Sequence, residues 1–317
     1  MRAALLFRFL APYPIPGTEA MATAVRKTPE LHELRDRATT LRRHIVRMLA
    51  KAGSGHPGGS LSAVEFVTAL YFGGFLRFDP KRPDWPDRDR FILSKGHGVP
   101  VLYAALAEVG YFPTEELATL RRIDSRLQGH PVYGTAPGIE ASTGSLGQGL
   151  SIGLGIALAG RLDRKDFRVF VLLGDGECQE GQVWEAAMAA GHHKPDNLVA
   201  MVDYNGFQLD GAIEEIMGLE PFAAKWESMG WAVREIDGHD LGEVVDALNW
   251  AESQAGPACI IGRTVKGKGV SFMEHENKYH GVAPSDEEME RALLELGVEA
   301  AERSIEAEAS VDQEAGR

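Results

Sequence analysis

Two polar residues thirty positions apart, Asp175 and Asn205, each stand where an apolar run gives way to glycine. Asp175 lies in GDGECQEG (174–181) after FRVFVLL (167–173), and Asn205 lies in NG after LVAMVDY (198–204). A carboxylate and an amide carbonyl are hard oxygen donors, suited to Mg2+ or Ca2+ rather than to zinc. Mg2+ usually takes few protein ligands and shares the oxygens of a phosphate. Gly174 and Gly176 flank the aspartate and let a phosphate approach the backbone. A helix beginning after the motif aims its free N–H groups at that phosphate. Taken singly these residues say little, because a G-D-G after a strand is common and a strand-end Asn often only forms a turn. Taken together, each behind an apolar strand, they describe a metal–diphosphate site.

The elements that must position the pair are legible around it. FRVFVLL and LVAMVDY are continuous and β-branched, the mark of strands buried on both faces. WAVREI (231–236), before DGHD, and ACIIGRT (258–264), before KGKG, read as two more buried strands, and Phe91–Leu93 as a short one before SKGHG. Helical spacing covers Thr28–Ala50, with Leu31, Leu34, Leu41, Ile45, Met48 and Leu49 on one stripe. The Gly-rich run GSGHPGGS (53–60) stops that helix. Further helices are expected over Ser62–Phe72, Val99–Val109, Leu150–Ala159, Gln182–Gly191 and Asp286–Leu296, with an irregular stretch over 121–145. Strands alternating with helices predict an α/β fold, a doubly wound and mostly parallel sheet with helices on both faces. Ligands bind beyond the carboxyl ends of such strands. The helix after GDGECQEG is the crossover that makes the two strands neighbours, so Asp175 and Asn205 converge. We expect one α/β domain over 28–297, between a leader (1–27) and an acidic tail (298–317).

Composition excludes several classes. The chain has 317 residues, 44% of them hydrophobic and 25% charged, which is a globular profile. Acidic residues outnumber basic ones 46 to 33, so no nucleic-acid-binding face is expected. The N-terminal MRAALLFRFLAPYPIPGTEA is broken by Arg8 and by Pro12, Pro14 and Pro16, and reads as a leader rather than a cleaved signal, with Met21 an alternative start. No apolar run reaches the ~18 residues of a membrane span. Two cysteines make no disulfide scaffold, which fits a reducing cytoplasm. Cys178 lacks an evident activating base, and Cys259 sits on an expected buried strand. His192 and His193 read as packing or surface residues.

Three near-miss motifs fail on spacing. GRTVKGKG (262–269) has Gly269 where a phosphate-binding loop needs Ser or Thr, although Lys266 or Lys268 remains free to touch an anion. The histidines of HENKYH (275–280) are five apart and do not share a helix face. The glycines Gly174, Gly176 and Gly181 do not have the dinucleotide-binding spacing.

G-D-G followed some thirty residues later by Asn resembles the thiamine-diphosphate signature, and the whole of 174–211 is similar to its transketolase version. Other transketolase-like blocks follow the family order: SGHPGGSLS (54–62), LSKGHG (93–98), QGHP (128–131), STGSLGQGLS (142–151), IDGHD (236–240) and TVKGKGVSFMEHENKYHG (264–281). The resemblance runs from about residue 30 to 285 and is closest to the N-terminal section of split transketolases. It implies that Asp175, Asn205 and the Phe207 carbonyl hold Mg2+, with Ca2+ or Mn2+ as substitutes. It implies that Gly176, Asn205, His97 and His280 surround the diphosphate, and that Gly144, Ser145 and Leu146 lie against the aminopyrimidine ring. The family often has Pro where Ser145 stands. By the same resemblance His56, His130 and His280 meet the sugar hydroxyls and move protons, tasks that a side chain titrating near pH 6.5 suits. Glu180 and Glu185 link paired active sites across a subunit interface. In full-length transketolases the glutamate that activates the cofactor lies in a second, pyrimidine-binding domain. The expectation is a cytoplasmic diphosphate-binding subunit in an α2β2 assembly with a separate pyrimidine-binding chain, moving a two-carbon ketol unit from a ketose phosphate to an aldose phosphate, as in pentose phosphate metabolism. Two alternatives stay open: half of another thiamine-diphosphate enzyme with a different sugar or keto donor, and a non-catalytic orphan subunit.

Overall fold

The computed structural model describes residues 29–298; the expected leader, and the acidic tail beyond Val298, lie outside the described residues. Strands β1 (Arg90–Leu93), β2 (Val169–Gly174), β3 (Leu198–Tyr204), β4 (Ala232–Asp237) and β5 (Ala258–Arg263) form one sheet in the order β1-β2-β3-β5-β4. Every neighbouring pair is parallel. The helices are α1 (Leu31–Ala52), α2 (Pro57–Leu61), α3 (Val64–Phe72), α4 (Val99–Glu108), α5 (Gly149–Leu162), α6 (Gly181–His193), α7 (Ile213–Met217), α8 (Phe222–Ser228), α9 (Leu241–Glu252) and α10 (Asp286–Glu295).

The sheet divides two cores, and side-chain alternation decides which residue serves which. Phe170, Leu172, Val199, Met201 and Ile260 pack with α1, α3, α4 and α9. Val171, Leu173, Ala200, Val202 and Ile261 point the other way, into the core formed with α5, α6 and α8. Both faces are therefore apolar, which is why the strand sequences show no polar alternation. Truncating a fully buried ring such as Phe170 to Ala costs about 3–5 kcal/mol.

Helix ends follow from local chemistry. A capping box of Glu30 and Glu33 starts α1, and Gly53 in the left-handed region ends it. Asp240 caps α9 by accepting from the Gly242 and Glu243 amides at 2.7 and 3.2 Å. Ser285 and Glu288 box the start of α10. Its last turn is tied back to α1 by the Arg43 guanidinium, which donates to the Leu296 carbonyl at 2.6 and 2.9 Å.

Two expectations need correction. The WAVREI strand is not buried on both faces: β4 lies outside β5 at the sheet edge, and within it only Ile236 is buried. The helix expected from Ser62 begins at Val64, and within the Gly-rich run Pro57 starts the one-turn helix α2. Helices α7, α8 and α9 were not anticipated. Among the described residues no helix is long and apolar enough to cross a membrane.

Candidate functional site

The carboxyl ends of β1, β2, β3 and β5 deliver Lys95, Asp175, Asn205 and Lys266 to one edge of the sheet. A cleft of about 350 Å³ opens there, lined by Lys95, Asp175, Asn205, Lys266 and His280 among others. Asp175 is almost fully buried; its two carboxylate oxygens accept from the Gly176 amide at 2.8 Å and the Gly206 amide at 2.5 Å. Burial and the nearby Asp203 push its carboxyl up to about 7. Asn205 turns its Oδ1 to the Phe207 amide at 3.1 Å, so Asn205 and Phe207 share one tight turn beside Asp175.

Beneath this pair lies a buried ionic network. The Lys95 ammonium pairs with Asp203, which also accepts from Ser62 Oγ at 2.5 Å and from Thr264 Oγ1. Burial alone would raise Asp203, but Lys95 and these hydroxyls more than offset it and hold the group as a carboxylate. Glu177 is equally buried and accepts from Ser94 Oγ at 2.5 Å, the Gly147 amide at 2.9 Å and the Gly174 amide at 3.1 Å. It thereby pins the 144–147 loop to the GDG turn. Lys266 is also buried, yet its partners are all uncharged: the Gln208 carbonyl at 3.2 Å, Asn277 Oδ1 at 3.0 Å and His280 Nδ1 at 3.0 Å. Burial and Lys95 lower it to about 8.

Four histidines from four segments cluster together, and two of them, His97 and His280, line the cleft. The His56 ring lies 5.4 Å from His97, 6.1 Å from His130 and 5.6 Å from His280, and His97 stacks on His280 at 5.3 Å. Burial, then Arg121, lowers His56 to about 4; burial, then Lys266, lowers His280 to about 3. His97 and His130 are lowered as well, chiefly by burial. Neutral imidazoles both donate and accept, so the group is equipped to read hydroxyls and pass protons.

The other candidate residues fall into two groups. Gly144, Leu146, Gly176, Phe207 and Glu180 line the cleft. A Cβ on Gly144 would lie 3.0 Å from the His130 ring, and φ is +135° there, so glycine is required. Ser145 and Glu185 are exposed and lie outside the lining, Glu185 on the outer face of α6. Lys268 is turned away from the cleft and pairs with Glu274 at 3.4 Å. Cys178 and Cys259 are buried with their thiols pushed up by burial, which leaves neither a nucleophile. His192 and His193 are exposed at the end of α6. Sequence reasoning missed Lys95, Glu177 and Gln208; the signal available was their place within the GHG, GDG and NG turns.

The donor set suits a polyanion held through a divalent cation. Among the described residues no group of three His, Cys, Asp or Glu side chains could hold a metal. A cation here relies instead on one carboxylate, one amide, a backbone carbonyl and the oxygens of its ligand. His56 Nδ1 and Gln208 Nε2 are buried without a partner, as expected at a place built to hold a polar ligand.

Comparison with known proteins matches residues 34–315 to the transketolase thiamine diphosphate binding domain. The 6-deoxy-6-sulfo-D-fructose transketolase subunit SqwG of Clostridium sp. (strain MSTE9) is 46% identical over 270 residues, spanning 85% of this chain and 98% of the relative. An apulose-4-phosphate transketolase subunit of Phocaeicola vulgatus is 42% identical over 256 residues, spanning 80% of this chain and 90% of the relative. The crystal structure of Campylobacter jejuni transketolase superposes with a TM-score of 0.81 at 33% identity, over 86% of this chain but 44% of that one. The chain thus spans nearly all of those subunits and under half of the solved transketolase.

Proposed function

The chain belongs to the transketolase family, and from that premise we propose that it is the diphosphate-binding half of a two-chain transketolase. Residues 28–297 form the diphosphate-binding unit. A separate pyrimidine-binding chain completes the site in an α2β2 assembly, in the cytoplasm. The reaction moves a two-carbon ketol unit from a ketose phosphate to an aldose phosphate. The observation that supports this reading most is the convergence of Asp175 and Asn205, from adjacent parallel strands, on a cleft lined by His97 and His280, with His56 beside both rings and His130 beside His56.

The geometry supports the roles that the resemblance implies. Asp175, the Asn205 amide oxygen and the Phe207 carbonyl hold Mg2+, for which Ca2+ or Mn2+ substitutes. A cation held by these residues would offset the Asp175 charge and that of the diphosphate together. Gly176 lets the diphosphate approach the backbone, and His97, His280 and the Lys266 ammonium face it. Thiamine diphosphate, when bound, supplies a stabilised carbanion at its thiazolium ring. The backbone of Gly144, Ser145 and Leu146 would border its aminopyrimidine, and because the Ser145 side chain is exposed, the family's frequent Pro and the Ser145 found here would serve alike. His56, His130 and His280 bind the sugar hydroxyls and move protons. Glu180 and Glu185, both exposed at the start of α6, face a neighbouring protomer.

The names of the relatives favour a second reading of the donor. Two are named for 6-deoxy-6-sulfo-D-fructose and apulose-4-phosphate. A ketose with a terminal sulfonate or phosphate, outside pentose phosphate metabolism, is therefore the other donor class. The test is to purify the chain with its partner from the native host and assay ketol transfer over a panel of both donor classes. Transfer that requires both chains supports the proposal; thiamine diphosphate binding without turnover on any donor leaves an orphan subunit instead.

A further inference from the structure

The KGKG turn after β5 looks like a phosphate-binding loop in the sequence and is not used as one. Its backbone is gripped from behind at two points. His239 Nε2 accepts from the Val265 amide at 2.7 Å, and the Arg42 Nε donates to the Lys268 carbonyl at 3.0 Å. Both grips lead to one carboxylate. Glu65, on α3 and 5% exposed, accepts from Arg42 through Oε1 at 2.6 Å and meets His239 Nδ1 through Oε2 at 2.9 Å. Between the two gripped residues sits Lys266, whose ammonium reaches the cleft and bonds His280. The second glycine of the turn serves the grip: a Cβ on Gly269 would lie 2.8 Å from the Arg42 side chain.

We propose that Glu65 is a positioning residue that sets the backbone of 264–268, and through it places the Lys266 ammonium and the His280 ring in the cofactor cleft. The hydrogen-bond directions make the assignment specific. The Val265 N–H can donate only to an unprotonated His239 Nε2. That fixes the ring proton on Nδ1, where Glu65 accepts it. Arg42 has no acceptor capacity, so it donates to the other Glu65 oxygen. Both Glu65 oxygens must therefore be acceptors, which a carboxylate satisfies and an amide does not. Burial alone would raise this carboxyl, but Arg42 and His239 more than offset it and keep it ionised.

Substitution Glu65→Gln presents an NH2 group to one of two donors and releases one grip. The second variant, His239→Phe, removes only the Val265 grip and leaves the buried Arg42–Glu65 pair intact. The readout is backbone hydrogen exchange of the full chain, followed in peptides covering 264–270 and, as controls, 198–204 and 169–174. We expect at least tenfold faster exchange at Val265–Lys268 in both variants, with the control strands unchanged. In the two-chain complex the half-saturating thiamine diphosphate concentration should rise about tenfold, and the KM for sugar should rise with it because His280 also meets the sugar hydroxyls. Uniformly faster exchange in both variants, or a 264–270 segment as protected as wild type, overturns the proposal. The Lys266 assignment rests on the cofactor reading above, but the exchange measurement needs no activity, so the two ideas fail separately.

Discussion

The rings of His97 and His280 stack with centroids 5.3 Å apart and planes at 26°, although 183 positions separate them in the chain. Neither ring is easily charged there, because burial and the adjacent lysines favour the neutral form. The stack is thus an uncharged, hydrogen-bonding wall beside two cationic side chains, Lys95 and Lys266, in the same cleft.

That neutrality has a measurable sign. His280 titrates near 6.5 in an unfolded chain but at about 3 in the folded one. Between those values the unfolded chain binds more protons, so His280 costs stability as pH falls below 6.5. The ring is partly exposed, and solvent screening reduces the effect to about 2 kcal/mol by pH 4. Urea unfolding from pH 8 to 4 should show wild type losing stability faster than His280→Phe; parallel curves would refute the depressed ring.

Cation and cofactor should stabilise the chain together, through Asp175. In the two-chain complex, Mg2+ with thiamine diphosphate at about 100 times Kd adds about 2.7 kcal/mol and raises Tm by a few degrees. Asp175→Asn should fold, since one amide oxygen still accepts from Gly176 or Gly206, but should lose that thermal shift and all ketol transfer. A full shift in Asp175→Asn would remove the carboxylate from the metal site.

Glu177 should matter to stability as much as to activity. Glu177→Ala leaves the Ser94 hydroxyl proton and two backbone amides without an acceptor, although Ser94 Oγ still accepts from the Gly149 amide at 3.1 Å. At about 1 kcal/mol for each unmet group the loss is about 3 kcal/mol. Denaturant midpoints with an unchanged slope give the number directly; a change below about 1 kcal/mol would mean that water replaces the carboxylate without strain.

Dependence on a second chain is the simplest prediction to check. The purified chain alone should show no ketol transfer above background with any donor. Adding the pyrimidine-binding chain should restore turnover in proportion to complex formed, as followed by sedimentation and a coupled assay. Turnover by this chain without a partner would overturn the split-enzyme reading.

The sequence carried the strands β2, β3 and β5 because sheet residues buried on both faces leave a long β-branched run. It carried Asp175 and Asn205 only as a pair, thirty positions apart and each behind such a run, since either alone reads as a turn residue. It did not carry Lys95. Lysine is almost never fully buried unless paired, and its partner Asp203 lies 108 positions away, a distance no local pattern spans. Glu177 was hidden for a related reason: inside an acidic-looking turn it reads as surface, and only the folded loop 144–147 shows that its oxygens are used. The partial exposure of β4 was missed because strand order, not strand sequence, decides which strand lies at an edge. Helix α9 was missed although its cap, Asp240, closes the IDGHD block.

The strand order has a consequence for how the protein is made. Since β5 inserts between β3 and β4, a growing chain presents β3 with one edge unpaired until residue 258 and beyond have emerged from the ribosome. During that interval the N–H and C=O groups of Val199–Tyr204 have no partner on that side, and such an open, apolar edge invites pairing with other chains. The cleft is also finished late, because Lys266 and His280 follow β5 and, among the described elements, only α10 comes after them. Pauses or truncations in translation upstream of β5 should therefore yield aggregates rather than a partly competent protein.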